Sequence, residues 1–470
     1  MLLNRGHAKC VLGAICVSSF VLGATPVALA DALSSNNSMY PNPEKPKERY
    51  SGAYNLSNLD YPETLPEQDW VSGAGFDEIN QSNAKAYMDA LKAHLKPSIR
   101  ILVQEAQSWD AAEQGWYNMV WRGAGDPSDP TSGREPIMNT NTGQIVPSES
   151  WREGYRPTTE FMQNYGVIYY NGRAAYTLGQ VWKDIYNPVL ERQNFPEGSI
   201  VVKVEAATVN PSEWPWDDPA SGGSVLNGAA EWQVFRPTTE SQKKHQRDPS
   251  HKMENEVQTV HPFQLAIKVK DSVAAPKTGW VFLGYVFDAR QSGEVWDKFV
   301  PAGMMWGNDP DHALSKTGIT PDDKLEETWV NPDAPPFVHD TLGWGGRMAA
   351  PMDVALRHNV IFPDGTRPEK GLRVSSCLSC HGTAQFPFTA NLYPSPNRFF
   401  PPDGEVTFPL YSPGSPKWAE WFKNRPGDLP QSNTTGVKAL DYDLTSMIAL
   451  GIWAGVTGKD ALAFDELNGH

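Results

Sequence analysis

The amino-acid sequence predicts an α+β fold: an N-terminal, mainly antiparallel-β domain with helices, followed by a small, mostly α-helical domain. Three observations lead there. Residues 200–204, 263–269 and 280–287 concentrate β-branched and aromatic side chains between turn signals, a composition that suits a pleated, half-buried surface. Ala275-Pro276-Lys277-Thr278-Gly279 makes a short turn between the last two, so they are expected to pair as a hairpin. Further on, Leu444, Met447, Ile448 and Ile452 recur at the spacing of one helix face.

Taken in order, residues 1–30 read as a secretory signal peptide. Arg5, His7 and Lys9 give a basic start, Cys10 to Leu22 an apolar run, and Ala28-Leu29-Ala30 a small-x-small cleavage site. The apolar run is shorter than the ~20 residues a spanning helix needs, so cleavage is expected, with no stable membrane insertion afterwards. A lipoprotein signal is disfavoured because bulky Ile15 precedes Cys16. Residues 31–75, rich in Asn, Ser, Pro and Tyr, predict an extended arm lying on the surface.

Residues 76–340 form the expected α+β domain, of unknown role. A helix is predicted from Ser82 to Leu95, stopped by Pro97, with a second helix over Ile99 to Glu105. A loop follows over residues 123–160, then a strand over Tyr165 to Tyr170 and a helix over Arg173 to Tyr186. The near-identical hexapeptides at 155–160 and 235–240 have unmatched flanks, so a shared local turn is favoured over a duplicated unit. The first strong strand runs from Ile200 to Val204 and extends toward Val209. In the second, Leu265, Ile267 and Val269 alternate with Ala266 and Lys268, which predicts one buried face.

Residues 341–470 make the second domain, about 130 residues long. Trp344-Gly345-Gly346-Arg347 lacks the Lys-Ser/Thr of a phosphate loop, so close backbone packing is the better reading. Ser415 and Pro416 suit the cap and first position of a short helix through Trp418, Trp421 and Phe422. A last helix is predicted from about Asp441 to Trp453.

Composition narrows the function. The 40 Pro, 39 Gly and 17 Trp suggest a loop-rich fold pinned by large aromatic side chains. The formal charge is −15, and losing Arg5 and Lys9 with the signal takes it to −17. That argues against nucleic acid or anionic lipid as partner, since both attract basic surfaces. It suits solubility, or docking to a basic patch on another protein. Of four cysteines, Cys10 and Cys16 also leave with the signal, so only Cys377 and Cys380 remain.

Those two lie in Ser376-Cys377-Leu378-Ser379-Cys380-His381-Gly382. Thiols about one helical turn apart can each form a thioether with a haem vinyl group, and His381 then lies beneath the porphyrin, where its imidazole can bind iron. Other readings compete. A structural zinc site needs four ligands, usually including a second cysteine pair. A thioredoxin-like pair needs a βαβ setting that the upstream residues do not supply. A plain disulfide suits an oxidising compartment but leaves His381 unexplained. Export, exclusive cysteine use and the adjacent histidine favour one covalently attached haem c.

With these residues in view, Ser376 to Gly382 resembles the binding motif of c-type cytochromes, periplasmic bacterial proteins that usually move single electrons. The wider run includes Gly279-Trp280-Val281-Phe282, Trp306-Gly307-Asn308-Asp309-Pro310, Gly343-Trp344-Gly345-Gly346-Arg347 and Ser376 to Gln385. It is similar, over roughly residues 200–460, to a largely uncharacterised group of exported bacterial single-haem proteins, which brings no known substrate. The resemblance implies a cytochrome c-like haem domain over 341–470, a periplasmic location, His381 as an axial iron ligand, and electron transfer with a redox partner protein.

In small cytochromes c the sixth ligand is usually a methionine well after the attachment site. Met447, 66 residues beyond His381, is the only later methionine and the provisional ligand. It departs from the pattern by falling on a helix face rather than in a loop, where a core methionine would look the same. His339, His358, Met348 and Met352 are upstream alternatives, and His470 is terminal. An open iron would instead allow peroxide, nitric oxide or carbon monoxide chemistry. The alternative function is therefore a haem enzyme or gas-reactive sensor whose upstream domain covers the iron. A third is a binding protein with a structural haem.

Arg347 and Arg373 could pair with haem propionates, and Phe386, Phe388, Trp418 and Trp421 could wall the haem, though packing explains them equally well. Upstream there is no HExxH, GxSxG or phosphate loop. His245, His251 and His261 lie among Lys243, Lys244 and Arg247, so a solvated loop is the better reading than a metal site. Trp214-Pro215-Trp216 suits a planar ligand, with structural packing the default.

Overall fold

The computed structural model describes residues 57–458, except 68–69, 123–129, 136, 148–160, 209–216, 219–222, 225, 315–323, 355, 358, 370 and 397–407. The signal peptide, most of the arm, the hexapeptide at 155–160, Trp214-Pro215-Trp216, His358 and His470 lie outside the described residues. The rest is α+β.

Nine strands form one antiparallel sheet: β1 (Trp116–Tyr117), β2 (Asn141–Pro147), β3 (Phe161–Asn171), β4 (Ile200–Ala207), β5 (Trp232–Arg236), β6 (Glu256–Lys270), β7 (Trp280–Phe287), β8 (Phe299–Met305) and β9 (Thr328–Val330). Their order is β1-β3-β4-β6-β7-β8-β9, with β2 on β3 and β5 on β6. The predicted hairpin is β6–β7, in register from Gln264 opposite Val286 to Lys270 opposite Trp280. Every residue of β7 is buried.

The buried face predicted for β6 is buried, with Leu265, Ile267 and Val269 at most 3% exposed, and the other face is covered as well. On one face Leu265 and Ile267 stand opposite Tyr285 and Leu283, and Tyr285 donates its hydroxyl to the Met88 carbonyl of a long helix, α1 (Ala84–Gln104), at 2.7 Å. The opposite face carries Lys203, Glu205, Gln264, Lys268, Lys270, Trp280 and Phe282, because side chains alternate along each strand and paired residues share a face. Asp353, His381 and residues 441–443 cover it. Lys268 is accordingly only 4% exposed. One hydrophobic core runs from Ile79 through the sheet to Ala454 without a break at residue 340.

Pro97 does not stop the first helix: α1 is continuous through it. Pro97 is exposed, so the lost amide bond is on the solvent side. The buried stripe Tyr87, Leu91, Leu95, Ile99 and Leu102 carries on past it. The helix predicted over Arg173 to Tyr186 is α2 (Gly172–Val181), whose cap Asn171 accepts from the Ala174 amide at 3.0 Å. The described end of the arm is tied down rather than loose. Asn58 exchanges bonds with Asn118 and Trp116, and the Tyr61 hydroxyl reaches the Asn118 carbonyl at 2.6 Å.

The described part of 341–470 holds three labelled helices: α3 (Cys377–His381), α4 (Pro416–Trp421) and α5 (Leu444–Thr457). Ser415 caps α4 with Pro416 at its first position, as the sequence predicts. Between the helices the chain runs in loops and two-residue ladders, such as Gln385–Phe386 against Lys438–Ala439.

Candidate functional site

The cysteine-bearing helix α3 is short, so its position rests on tertiary bonds rather than on helix propensity. Ser376 caps it, accepting from the Ser379 amide at 3.3 Å. Both serine hydroxyls then donate to a single buried atom, Asn308 Oδ1, at 3.1 and 2.6 Å. The Cys377 amide donates to the Met348 carbonyl at 3.1 Å, and the Trp344 amide to the Ser375 carbonyl at 3.0 Å. Gly343 is required here, since a Cβ on it would lie 1.8 Å from the Ser375 carbonyl oxygen.

His381 closes α3 with its ring against Phe282 of β7, centroids 4.9 Å apart. Its Nδ1 lies 3.0 Å from the Tyr442 carbonyl oxygen. A carbonyl only accepts, so Nδ1 carries the proton and Nε2 is left with its lone pair. Burial first, then the Lys268 ammonium, pushes the imidazole pKa down to about 4. The ring is thus neutral at physiological pH, the form that binds metal.

The sheet fixes that carbonyl. Asp441 and Tyr442 both have left-handed backbone, φ 47° and 62°, a conformation that needs tertiary support in residues with a Cβ. Lys270 Nζ and Trp280 Nε1 both donate to Asp441 Oδ1, at 2.9 and 2.7 Å. Lys268 Nζ donates to the Tyr442 carbonyl at 3.0 Å and to Asp443 Oδ1 at 2.8 Å. Asp443 in turn caps α5 through the Ser446 amide.

Cys377 and Cys380 are half-buried and free. Burial, helped by the Asp353 carboxylate, pushes both thiols up to about 12. They are therefore protonated at neutral pH, unlike the low-pKa thiolate of a disulfide-exchange site. A ring nitrogen with a free lone pair and two unbonded thiols within one helical turn match the donor set a covalent haem requires.

The other sequence candidates are dispersed. Met447 is 3% exposed on α5. That helix begins at Leu444, just after the Tyr442 whose carbonyl faces His381 Nδ1. Met348 packs against the sheet, where a Cβ on Gly303 would meet its sulfur at 3.0 Å. Met352 is buried, and its amide donates to Gln264. His339 is exposed on the helix Pro336–Asp340.

Arg347 is a buried structural arginine rather than a solvated one. It is fully buried, donates to the carbonyls of Asn308, Trp344 and Asp309, and stacks over Phe422 at 4.5 Å. Arg373 lies in a two-residue ladder with Leu356. Trp418 packs edge-on to Trp344, Trp421 donates to the Asn391 carbonyl, and Phe386 and Phe388 pack in or against the core. His245 bonds the His251 carbonyl, His251 the Ser241 hydroxyl, and His261 the Ala230 carbonyl. Among the described residues no three His, Cys, Asp or Glu gather to hold a metal ion, and no helix is long and apolar enough to cross a membrane.

Sequence reading missed Asn308, Lys268 and Tyr442. Asn308 sits inside the quoted Trp306 to Pro310 run, but nothing local ties it to serines some 70 residues away. Comparisons with protein families, curated proteins and solved structures find no match for this chain.

Proposed function

We propose that this is an exported, periplasmic monohaem c-type cytochrome that passes single electrons to or from a protein partner. Cys377 and Cys380 would hold haem c through thioethers, His381 would bind the iron through Nε2, and residues 341–470 would be the haem-holding unit. The observation that carries the reading is the 3.0 Å contact between His381 Nδ1 and the Tyr442 carbonyl. It orients the ring and fixes the tautomer that leaves Nε2 for metal, as second-shell carbonyls do at metal-bound histidines.

The haem supplies the one-electron chemistry when bound. The chain's residues do the rest. Phe282 packs against the imidazole, Lys268 holds the Tyr442 carbonyl in place, and Asn308 keeps α3 seated so that thiols and ring keep their relative positions. The net negative charge suits a partner with a basic docking patch.

Pyridine haemochrome spectroscopy and intact mass of the purified protein test this. Covalent haem is expected in the native protein and lost in Cys377→Ser/Cys380→Ser; covalent haem retained in that double variant would refute the attachment.

A second reading, an open iron site reactive toward gas or peroxide, is favoured by one observation. Met447, the provisional second ligand, is 3% exposed and packs in the hydrophobic core from a helix, as a purely structural methionine would. Ready carbon monoxide binding by the reduced protein would select that reading. A low-spin spectrum that carbon monoxide does not change would select the electron carrier.

A further inference from the structure

A buried polar cluster borders α3 without touching the His381 side of the site. On β4, Glu205 is fully buried. Its Oε1 accepts from Asn164 Nδ2 at 2.6 Å and from Lys203 Nζ at 2.7 Å, and its Oε2 accepts from Gln264 Nε2. Gln264 Nε2 also reaches Asp353 Oδ2 at 3.2 Å, and Lys203 Nζ lies 3.5 Å from Asp353 Oδ1. Two carboxylates therefore share one ammonium and one amide, leaving the cluster one negative charge in excess.

Its outer members meet water: the side chains of Lys203 and Asp353 are 32% and 33% exposed, against 0% for Glu205. Its inner side meets the segment that leads into the attachment helix. The Ser375 hydroxyl donates to the Asp353 carbonyl at 2.8 Å. The Asp353 charge bears on Glu205, on both thiols and on His381. The groups facing Glu205 are Lys203 on its own strand, Asn164 on β3, Gln264 on β6 and Asp353 from the 351–353 turn, and the Glu205 charge in turn bears on the neutral Cys377 thiol of α3.

We propose that Glu205 is a redox-linked proton acceptor: one electron from a one-electron donor reduces the iron held by His381, and one proton from solvent binds the Glu205 carboxylate, entering past Asp353 and Lys203. Reduction removes one positive charge at the iron and protonation removes the excess negative charge of the cluster, so each favours the other. No bond to the haem forms or breaks. Burial first, then Asp353, already raises Glu205 to about 7, where a neighbouring charge change moves its protonation most.

The inference rests on the haem reading, and the test separates the two. The midpoint potential of the haem-loaded full chain is measured from about pH 5 to about pH 9. The expected result is a potential that falls as pH rises through neutral, by up to about 59 mV per tenfold drop in proton concentration. Glu205→Gln should abolish that slope. Asp353→Asn, at a partly exposed site, should move its onset to lower pH; it carries the test alone if Glu205→Gln fails to fold against the Gln264 amide. A reduced-minus-oxidised infrared spectrum should also gain a protonated-carboxyl band that is missing in Glu205→Gln. Haem present with a pH-independent potential, or a slope unchanged in the variants that fold, overturns this proposal alone. Absence of covalent haem overturns the haem reading and this proposal with it.

Discussion

Lys268→Met tests whether the sheet holds the ligand loop in place. Methionine keeps most of the length of the stem and its apolar contacts but removes the ammonium. In the native protein Lys268 and Asp443 form an ion pair at 2.8 Å, with side-chain exposures of 5% and 1%. Burial first, with the neighbouring Lys270 charge, lowers the lysine pKa, while the Lys268 ammonium and other donors hold Asp443 below its ordinary value despite burial. Without Lys268 the Asp443 carboxylate is left in the core with only the neutral donors Tyr170 and Ser446. Stranding one partner of a buried pair costs about 3–5 kcal/mol, a factor of roughly 10² to 10⁴ in the folded-to-unfolded ratio. The Tyr442 carbonyl loses one of its two donors as well. Urea unfolding of the purified protein measures the loss, and the double variant Lys268→Met/Asp443→Asn should recover about 1–3 kcal/mol of it. A single variant within about 1 kcal/mol of native stability would refute the claim that this pair fastens residues 441–443 to the sheet.

Further outcomes follow from the same contacts. Asn308→Ala removes the shared acceptor of Ser376 and Ser379 and should cost about 2 kcal/mol, with faster amide hydrogen exchange concentrated in α3. Gly343→Ala drives a methyl into the Ser375 carbonyl and should destabilise by about 3 kcal/mol in thermal or urea unfolding. Met447→Ala should change the visible absorption spectrum of the oxidised protein if its sulfur binds iron; an unchanged spectrum excludes it. Between the unfolded carboxylate value of about 4.3 and about 7, folded Glu205 keeps a proton that the unfolded chain has released. Stability should therefore fall as pH rises through that window and level off above it, and the fall should be smaller in Glu205→Gln.

Helix and strand identity was legible wherever it rested on local chemistry. β7 occupies the predicted residues Trp280–Phe287, and Ser415-Pro416 begins a helix, because side-chain period and capping act over a few residues. Pro97 misled because its effect depends on which side of the helix faces water. Lys268 shows a related limit: alternation located the buried face of β6 correctly but does not say whether a second layer covers the polar one.

By itself the sequence determined a pair of thiols one turn apart with a histidine beside them, and an antiparallel hairpin ahead of them, since both are written in short-range spacing. Tertiary structure alone decided which ring nitrogen of His381 is free. That depends on the Tyr442 carbonyl, 61 residues away, held in a left-handed bend by lysines from the sheet. Packing also made Arg347 a buried clamp on three carbonyls. Sequence spacing encodes which groups a segment offers; only the folded chain brings a distant carbonyl or carboxylate within about 3 Å, where hydrogen bonds and charge act.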